Sequence, residues 1–154
     1  MRGVGRRLDR KEAASMTKIL LVDDSKFLRM ATERALARAG YSVISAVDGE
    51  NALDLARSEK PDVILLDMLL PKLPGHDVLK ALKKDPATKG IAVVVFTGLS
   101  HKNAMRLQND GACGFLDKAE LGLDKGCEAF LVKLAEILRQ LKLEVPKMAG
   151  ARGA

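Results

Sequence analysis

The sequence predicts an α/β domain built on a doubly wound, five-stranded parallel sheet, and three observations carry that prediction. Short runs of branched aliphatic residues alternate five times with stretches of helical period between residues 18 and 143. Cap and turn residues stand where one element must stop and the next begin. The chain has 154 residues of which 47% are hydrophobic, enough for one sizeable core and too few for a second catalytic domain.

Taken in order, residues 18–23 (KILLVD) read as the first strand, and Asp24-Ser25 then offers two good helix N-caps. That helix ends at Gly40, a residue typical of the position just past a helix C-terminus. The second strand is read over 42–46, and Asp48 caps a helix over 49–58. Pro61 blocks continuation of that helix and sets up the third strand over 62–67 (DVILLD), a continuous apolar run suited to burial on both faces. Pro74-Gly75 opens a third helix that runs to about residue 84. The fourth strand is 92–97 (AVVVFT), Ser100 caps a short helix ending before Gly111, and the fifth strand is 114–117. The last helix, read over 123–143, carries Phe130, Leu134, Ile137 and Leu141 on one face. Leu131, Val132, Ala135, Leu138 and Leu143 exceed what one stripe needs, which motivates an expectation of homodimerisation or partner docking through the last helices.

Composition narrows the function classes. With no Trp, one Tyr and four Phe, there are few rings on which single-stranded nucleobases would stack. The net charge of +6 is concentrated at the ends: residues 1–16 hold five basic side chains against two acidic ones, and residues 17–142 are left with only +2. Residues 1–16 are expected to be a flexible basic extension, with Met16 a candidate start, and residues 144–154 a flexible tail. A modest nucleic-acid or acidic-membrane contact by the basic arm follows as a side expectation. Cys113 and Cys127 read as free thiols of a reducing, cytoplasmic compartment, and no apolar run approaches a membrane span. His76 and His101 have no partner at metal-ligand spacing and are assigned no chemistry.

Right-handed crossovers put the ligands of a doubly wound sheet outside the carboxyl ends of its strands. Those ends carry Asp23-Asp24 after the first strand, Asp67 after the third, Thr97 after the fourth and Lys118 after the fifth. Three convergent carboxylates resist joint ionisation unless a cation compensates them, and Mg²⁺ suits an oxygen site with few protein ligands. With such a cation, an Asp67 oxygen can attack phosphorus to form an aspartyl phosphate. Lys118 and Thr97 are then placed to receive two of the phosphoryl oxygens.

From residue 18 to about 141 the chain resembles the receiver domains of two-component response regulators, chemotaxis-type single-domain receivers in particular. The resemblance rests on the ordered set ILLVDDS (19–25), VILLDMLLPKLPG (63–75), VVVFTG (93–98) and GACGFLDK (111–118). It implies a flavodoxin-like sheet of strand order 2-1-3-4-5, with Asp67 as phosphoacceptor. Asp23, Asp24, Asp67 and the backbone carbonyl of Leu69 are implied as Mg²⁺ ligands, Lys118 and Thr97 as phosphoryl contacts, and Thr97 and Phe115 as switch residues. Pro71 and Gly75 match the family's shaping of the loop after the acceptor. The implied partners are a sensor histidine kinase or a histidine phosphotransfer protein, and a downstream target. One departure stands out: Ala119 occupies the position after the lysine where receivers usually have proline.

The resulting expectation is a stand-alone phosphorylation switch over residues 17–143 that is no enzyme beyond its own phosphorylation and dephosphorylation. It carries no DNA-binding output domain, the chain ending eleven residues after Leu143. A phosphorelay shuttle and an unphosphorylated scaffold are the alternatives. Leu69 and Leu99, apolar at positions flanking the acceptor site, predict slow self-dephosphorylation, because neither side chain can orient a water.

Overall fold

The computed structural model describes residues 16–98, 104–122 and 127–146. Strands β1 (Lys18–Val22), β2 (Ser42–Ala46), β3 (Val63–Leu66), β4 (Ala92–Thr97) and β5 (Gly114–Asp117) alternate with helices α1 (Lys26–Arg38), α2 (Gly49–Glu59), α3 (Gly75–Lys84), α4 (Ala104–Asn109) and α5 (Glu128–Gln140). All pairings are parallel, in the order β2-β1-β3-β4-β5. This is the doubly wound sheet and strand order expected.

Strand alternation divides the core into two layers. Ile19, Leu21, Val63, Leu65, Val94, Phe96 and Leu116 face α1 and α5, while Leu20, Val22, Ile64, Leu66, Val93 and Val95 face α2 and α3. The helix starts follow local chemistry: Ser25 Oγ accepts from Leu28 N, and Asp48 Oδ1 accepts from Asn51 N at 2.8 Å. Pro74 sits at the N-cap of α3, and α2 ends at Lys60 in the left-handed conformation, immediately before Pro61.

Three expectations are corrected at the C-terminus. Helix α5 ends at Gln140, so Leu141 and Leu143 lie beyond it. The apolar surplus of this segment is spent largely inside the domain: Leu138 and Ala135 are buried, and Leu131 and Leu143 pack against the core, leaving Val132 exposed. That removes the basis for homodimerisation through this helix. Residues 144–146 are no loose tail, because Val145 packs against the core and the Thr17 hydroxyl donates to the Glu144 carbonyl. Gly40, at φ 101°, lies so close to Pro146 that a Cβ would come within 2.7 Å of the proline. Residues 1–15 of the expected basic arm over 1–16, Leu99, the Ser100 cap, His101, positions 123–126 of the last helix and the rest of the tail lie outside the described residues.

Tyr41 is buried in the α1/α5 layer, and its hydroxyl has no hydrogen-bond partner among the described residues. Burial pushes its phenol up to about 12, against a smaller opposing pull from Arg139. The folded state therefore keeps a proton that the unfolded chain loses near pH 10, so stability falls as pH rises from about 10 to about 12, by roughly 2 to 3 kcal/mol. Tyr41→Phe is expected to lose less stability than the parent between about pH 10 and about pH 12 in urea unfolding. A parallel decline in both proteins would show that the phenol does not drive it.

Candidate functional site

β1 and β3 are neighbours with Val22 opposite Leu66, so the residues that follow them, Asp23 and Asp67, arrive side by side at the carboxyl edge. Backbone hydrogen bonds extend the ladder through both: Asp67 N donates to the Val22 carbonyl at 3.1 Å and Asp23 N to the Ala46 carbonyl at 3.2 Å. The two aspartates, read from sequence as the last residues of their strands, are thus the first residues past them.

Each buried carboxylate is fixed on one oxygen and presented on the other. Asp23 Oδ1 accepts from Ser25 N at 2.9 Å, and Asp67 Oδ1 accepts from Leu69 N at 3.1 Å. Their Oδ2 atoms both face Lys118, whose ammonium stands 2.7 Å from Asp23 and 2.8 Å from Asp67. The contact to Asp67 is a hydrogen bond; Asp23 Oδ2 is buried with an ion-pair contact and no hydrogen bond among the described residues. Asp24 is exposed at the same edge. Burial alone would lower the Lys118 pKa, but its contacts with Asp23 and Asp67 outweigh that and hold the ammonium above its ordinary range.

Lys118 is the first residue past β5 and reaches across the end of β4 to do this. Its ammonium lies over the ring of Phe96, 5.7 Å from the centroid. Thr97, buried, ends β4 opposite Asp117. The departure at Ala119 does not displace the lysine: residues 118–120 form one turn of 3₁₀ helix, Asp117 Oδ1 accepts from Ala119 N at 2.8 Å, and all described peptide bonds are trans. An aspartate turn thereby sets the chain direction after Lys118.

Carboxylate oxygens of Asp23, Asp24 and Asp67 lie within 4.8 Å of one another. Three carboxylates against one ammonium leave the cluster negative, and a further cation would balance it. The residues fit a hard divalent ion. Leu69 follows on an exposed loop and is itself 59% exposed. Phe115 lies half-buried on the α2/α3 side of the sheet, paired with Val95. His76 lies exposed beside Asp77, and Cys113 and Cys127 are free thiols with pKa values raised by burial. None of the three is drawn into the cluster.

The family model of the response regulator receiver domain matches residues 19–130. The chain belongs to that family. This receiver is 39% identical over 126 residues to the gliding motility regulatory protein of Myxococcus xanthus, a match covering 80% of this chain and 16% of that protein. It is 40% identical over 82 residues to the probable transcriptional regulator ycf27 of Guillardia theta, covering 53% of this chain and 31% of that one. The receiver therefore spans about a third or less of these two curated relatives. Among solved structures, the chemotaxis protein CheY4 of Vibrio cholerae superposes with a TM-score of 0.71 at 31% identity, covering 80% of this chain and 99% of that one. The phosphorylated cyanobacterial phytochrome response regulator RcpA gives 0.69 at 28% identity, covering 85% and 99%.

Sequence reasoning passed over Arg29, whose guanidinium donates to the Asp23 carbonyl at 3.0 Å, and also the capping role of Asp117 and the place of Phe96. Alternation from Thr97 would have put Phe96 on the opposite face of β4, but its approach to Lys118 depends on the turn after β5. That turn has no periodic signal.

Proposed function

We propose that this receiver is a phosphorylation switch in which Asp67 accepts a phosphoryl group from the phosphohistidine of a sensor histidine kinase, in the cytoplasm, and then signals to a downstream protein. The observation that carries the reading is the Lys118 ammonium bridging Asp23 and Asp67 at the sheet edge, with Asp24 beside them. Asp23, Asp24, Asp67 and the Leu69 carbonyl would hold Mg²⁺, which when bound supplies charge neutralisation for the carboxylates and for one phosphoryl oxygen.

In the transfer, an Asp67 carboxylate oxygen forms a bond to phosphorus as the bond from phosphorus to the donor nitrogen breaks, and the donor imidazole leaves with the electron pair. Asp67 Oδ1 is held by the Leu69 amide, so the carboxylate is oriented before a donor arrives. Lys118 holds a second phosphoryl oxygen in place of its contact with Asp67 Oδ2, and the Thr97 hydroxyl donates to a third. Movement of Thr97, with Phe115 following, changes the surface of the last two βα units. Hydrolysis of the aspartyl phosphate resets it, and the protein needs no catalytic activity toward other molecules.

The test is intact-protein mass after incubation with acetyl phosphate. One added phosphoryl group is expected, dependent on Mg²⁺, removed by hydroxylamine as an acyl phosphate, and mapped to Asp67. An adduct on another residue, or no adduct from either acetyl phosphate or a phosphorylated kinase, would sink the proposal.

The exposed, apolar Leu69 side chain beside the acceptor cannot orient an attacking water. Leu69→Asn is expected to shorten the aspartyl-phosphate lifetime about tenfold, measured as loss of the phosphorylated mass with time. An unchanged lifetime would remove Leu69 from control of hydrolysis.

A further inference from the structure

Phe96 occupies a position that the proposed chemistry does not use. Its ring is 1% exposed, on the α1/α5 face of β4. The Lys118 ammonium lies over that ring, 5.7 Å from its centroid, while the same ammonium touches Asp23 and Asp67. Phe130 of α5 packs against Phe96 with the ring centroids 5.1 Å apart and the planes at 33°.

Two carboxylates and one aromatic face therefore define where the ammonium sits. The face of a phenyl ring carries the negative lobe of its quadrupole and attracts a cation, more strongly where water is excluded. The Lys118 side chain is only 14% exposed, so the ring stands on a side of the ammonium where water would otherwise be its partner. A leucine there would cover the lysine stem but offer the charge nothing. The contact also has a property that the Asp67 contact lacks: it does not change when Asp67 becomes the phosphorylated group. The ring is thus a fixed wall against which the lysine can exchange an Asp67 oxygen for a phosphoryl oxygen without swinging into solvent.

We propose that Phe96, held by Phe130, is a positioning residue for Lys118. Its kinetic consequence rests on the reading of Asp67 as phosphoacceptor; its geometric content does not.

The test uses the full chain and the variants Phe96→Leu, Phe130→Leu and Leu79→Val, the last trimming a buried residue in the opposite core layer. With acetyl phosphate and Mg²⁺, Phe96→Leu is expected to form the acyl phosphate about fivefold more slowly, Phe130→Leu to show a smaller slowing, and Leu79→Val to keep the parent rate. Followed by ¹⁵N NMR at one fixed pH and assigned through Lys118→Arg, the Lys118 ammonium protons are expected to exchange with water faster in Phe96→Leu than in the parent. A purely structural role for Phe96 predicts slowing that tracks lost stability in all three variants and unchanged exchange of the Lys118 ammonium protons, and either result overturns the proposal. If the parent protein takes up no phosphate, the acceptor reading fails by itself, and the exchange of the Lys118 ammonium protons still decides for or against Phe96.

Discussion

Asp67→Ala is expected to take up no phosphoryl group, and Lys118→Ala to take it up about 10²- to 10³-fold more slowly, the loss typical of removing one preorganised contact to developing charge. The same two substitutions are expected to change stability in opposite directions. At an effective dielectric of about 20, the 2.8 Å contact between Lys118 and Asp67 corresponds to roughly 6 kcal/mol of attraction. Against it stand repulsions from Asp23 and Asp24, whose oxygens lie within 4.8 Å, at about 3.5 kcal/mol or more each, together with the desolvation of a buried carboxylate. Removing Asp67 therefore relieves more than it loses, and thermal unfolding without divalent cation should show Asp67→Ala at or above the parent.

Removing Lys118 instead leaves the buried Asp23 and Asp67 carboxylates facing each other without their ammonium, a loss of about 3 to 5 kcal/mol. Added Mg²⁺ should raise the melting temperature of the parent and of Lys118→Ala, and raise that of Asp67→Ala least, because ligands that bind only the folded state stabilise in proportion to their affinity. Equal destabilisation by both substitutions would mean that the cluster is not under the repulsion inferred for it. Phosphate uptake by Asp67→Ala would move the acceptor elsewhere.

The parts of the site that were legible in the sequence are those fixed by strand register. Once β1 and β3 are parallel neighbours, Asp23 and Asp67 must meet, and the apolar runs before them declare both strands. Lys118 was legible for the same reason, as the residue just past β5. What could not be read lies where direction is set by individual side-chain bonds. The turn through Ala119 depends on one Asp117 oxygen, and the approach of Phe96 to Lys118 depends on that turn. The C-terminal boundary was misplaced because residues 144–146 have no periodicity of their own; they are ordered by Thr17 and by the space at Gly40. The last helix was read with a surplus apolar face because a sequence shows which residues are apolar but not how wide a groove receives them.

Gly75 links the fold to the acceptor most directly. It is the first residue of α3, it is buried, and its amide donates to the Met68 carbonyl at 3.1 Å. A Cβ there would lie 2.3 Å from the Asp67 carbonyl oxygen and 2.5 Å from Met68 Cα. Both are backbone atoms, so no side-chain rotation relieves the overlap, and either the start of α3 or the Asp67–Met68 backbone must move. Gly75→Ala is therefore expected to cost about 2 to 3 kcal/mol in urea unfolding. Any shift of Asp67 relative to Lys118 should also slow acyl-phosphate formation, by about 10²-fold for a displacement near 1 Å. Gly90→Ala is the control, since a Cβ there meets nothing within 4 Å, and it should stay within about 0.5 kcal/mol of the parent with an unchanged rate. Lost stability at a normal rate would show that α3 yields and Asp67 stays put, whereas loss of both would place the acceptor's position under the control of this one close approach.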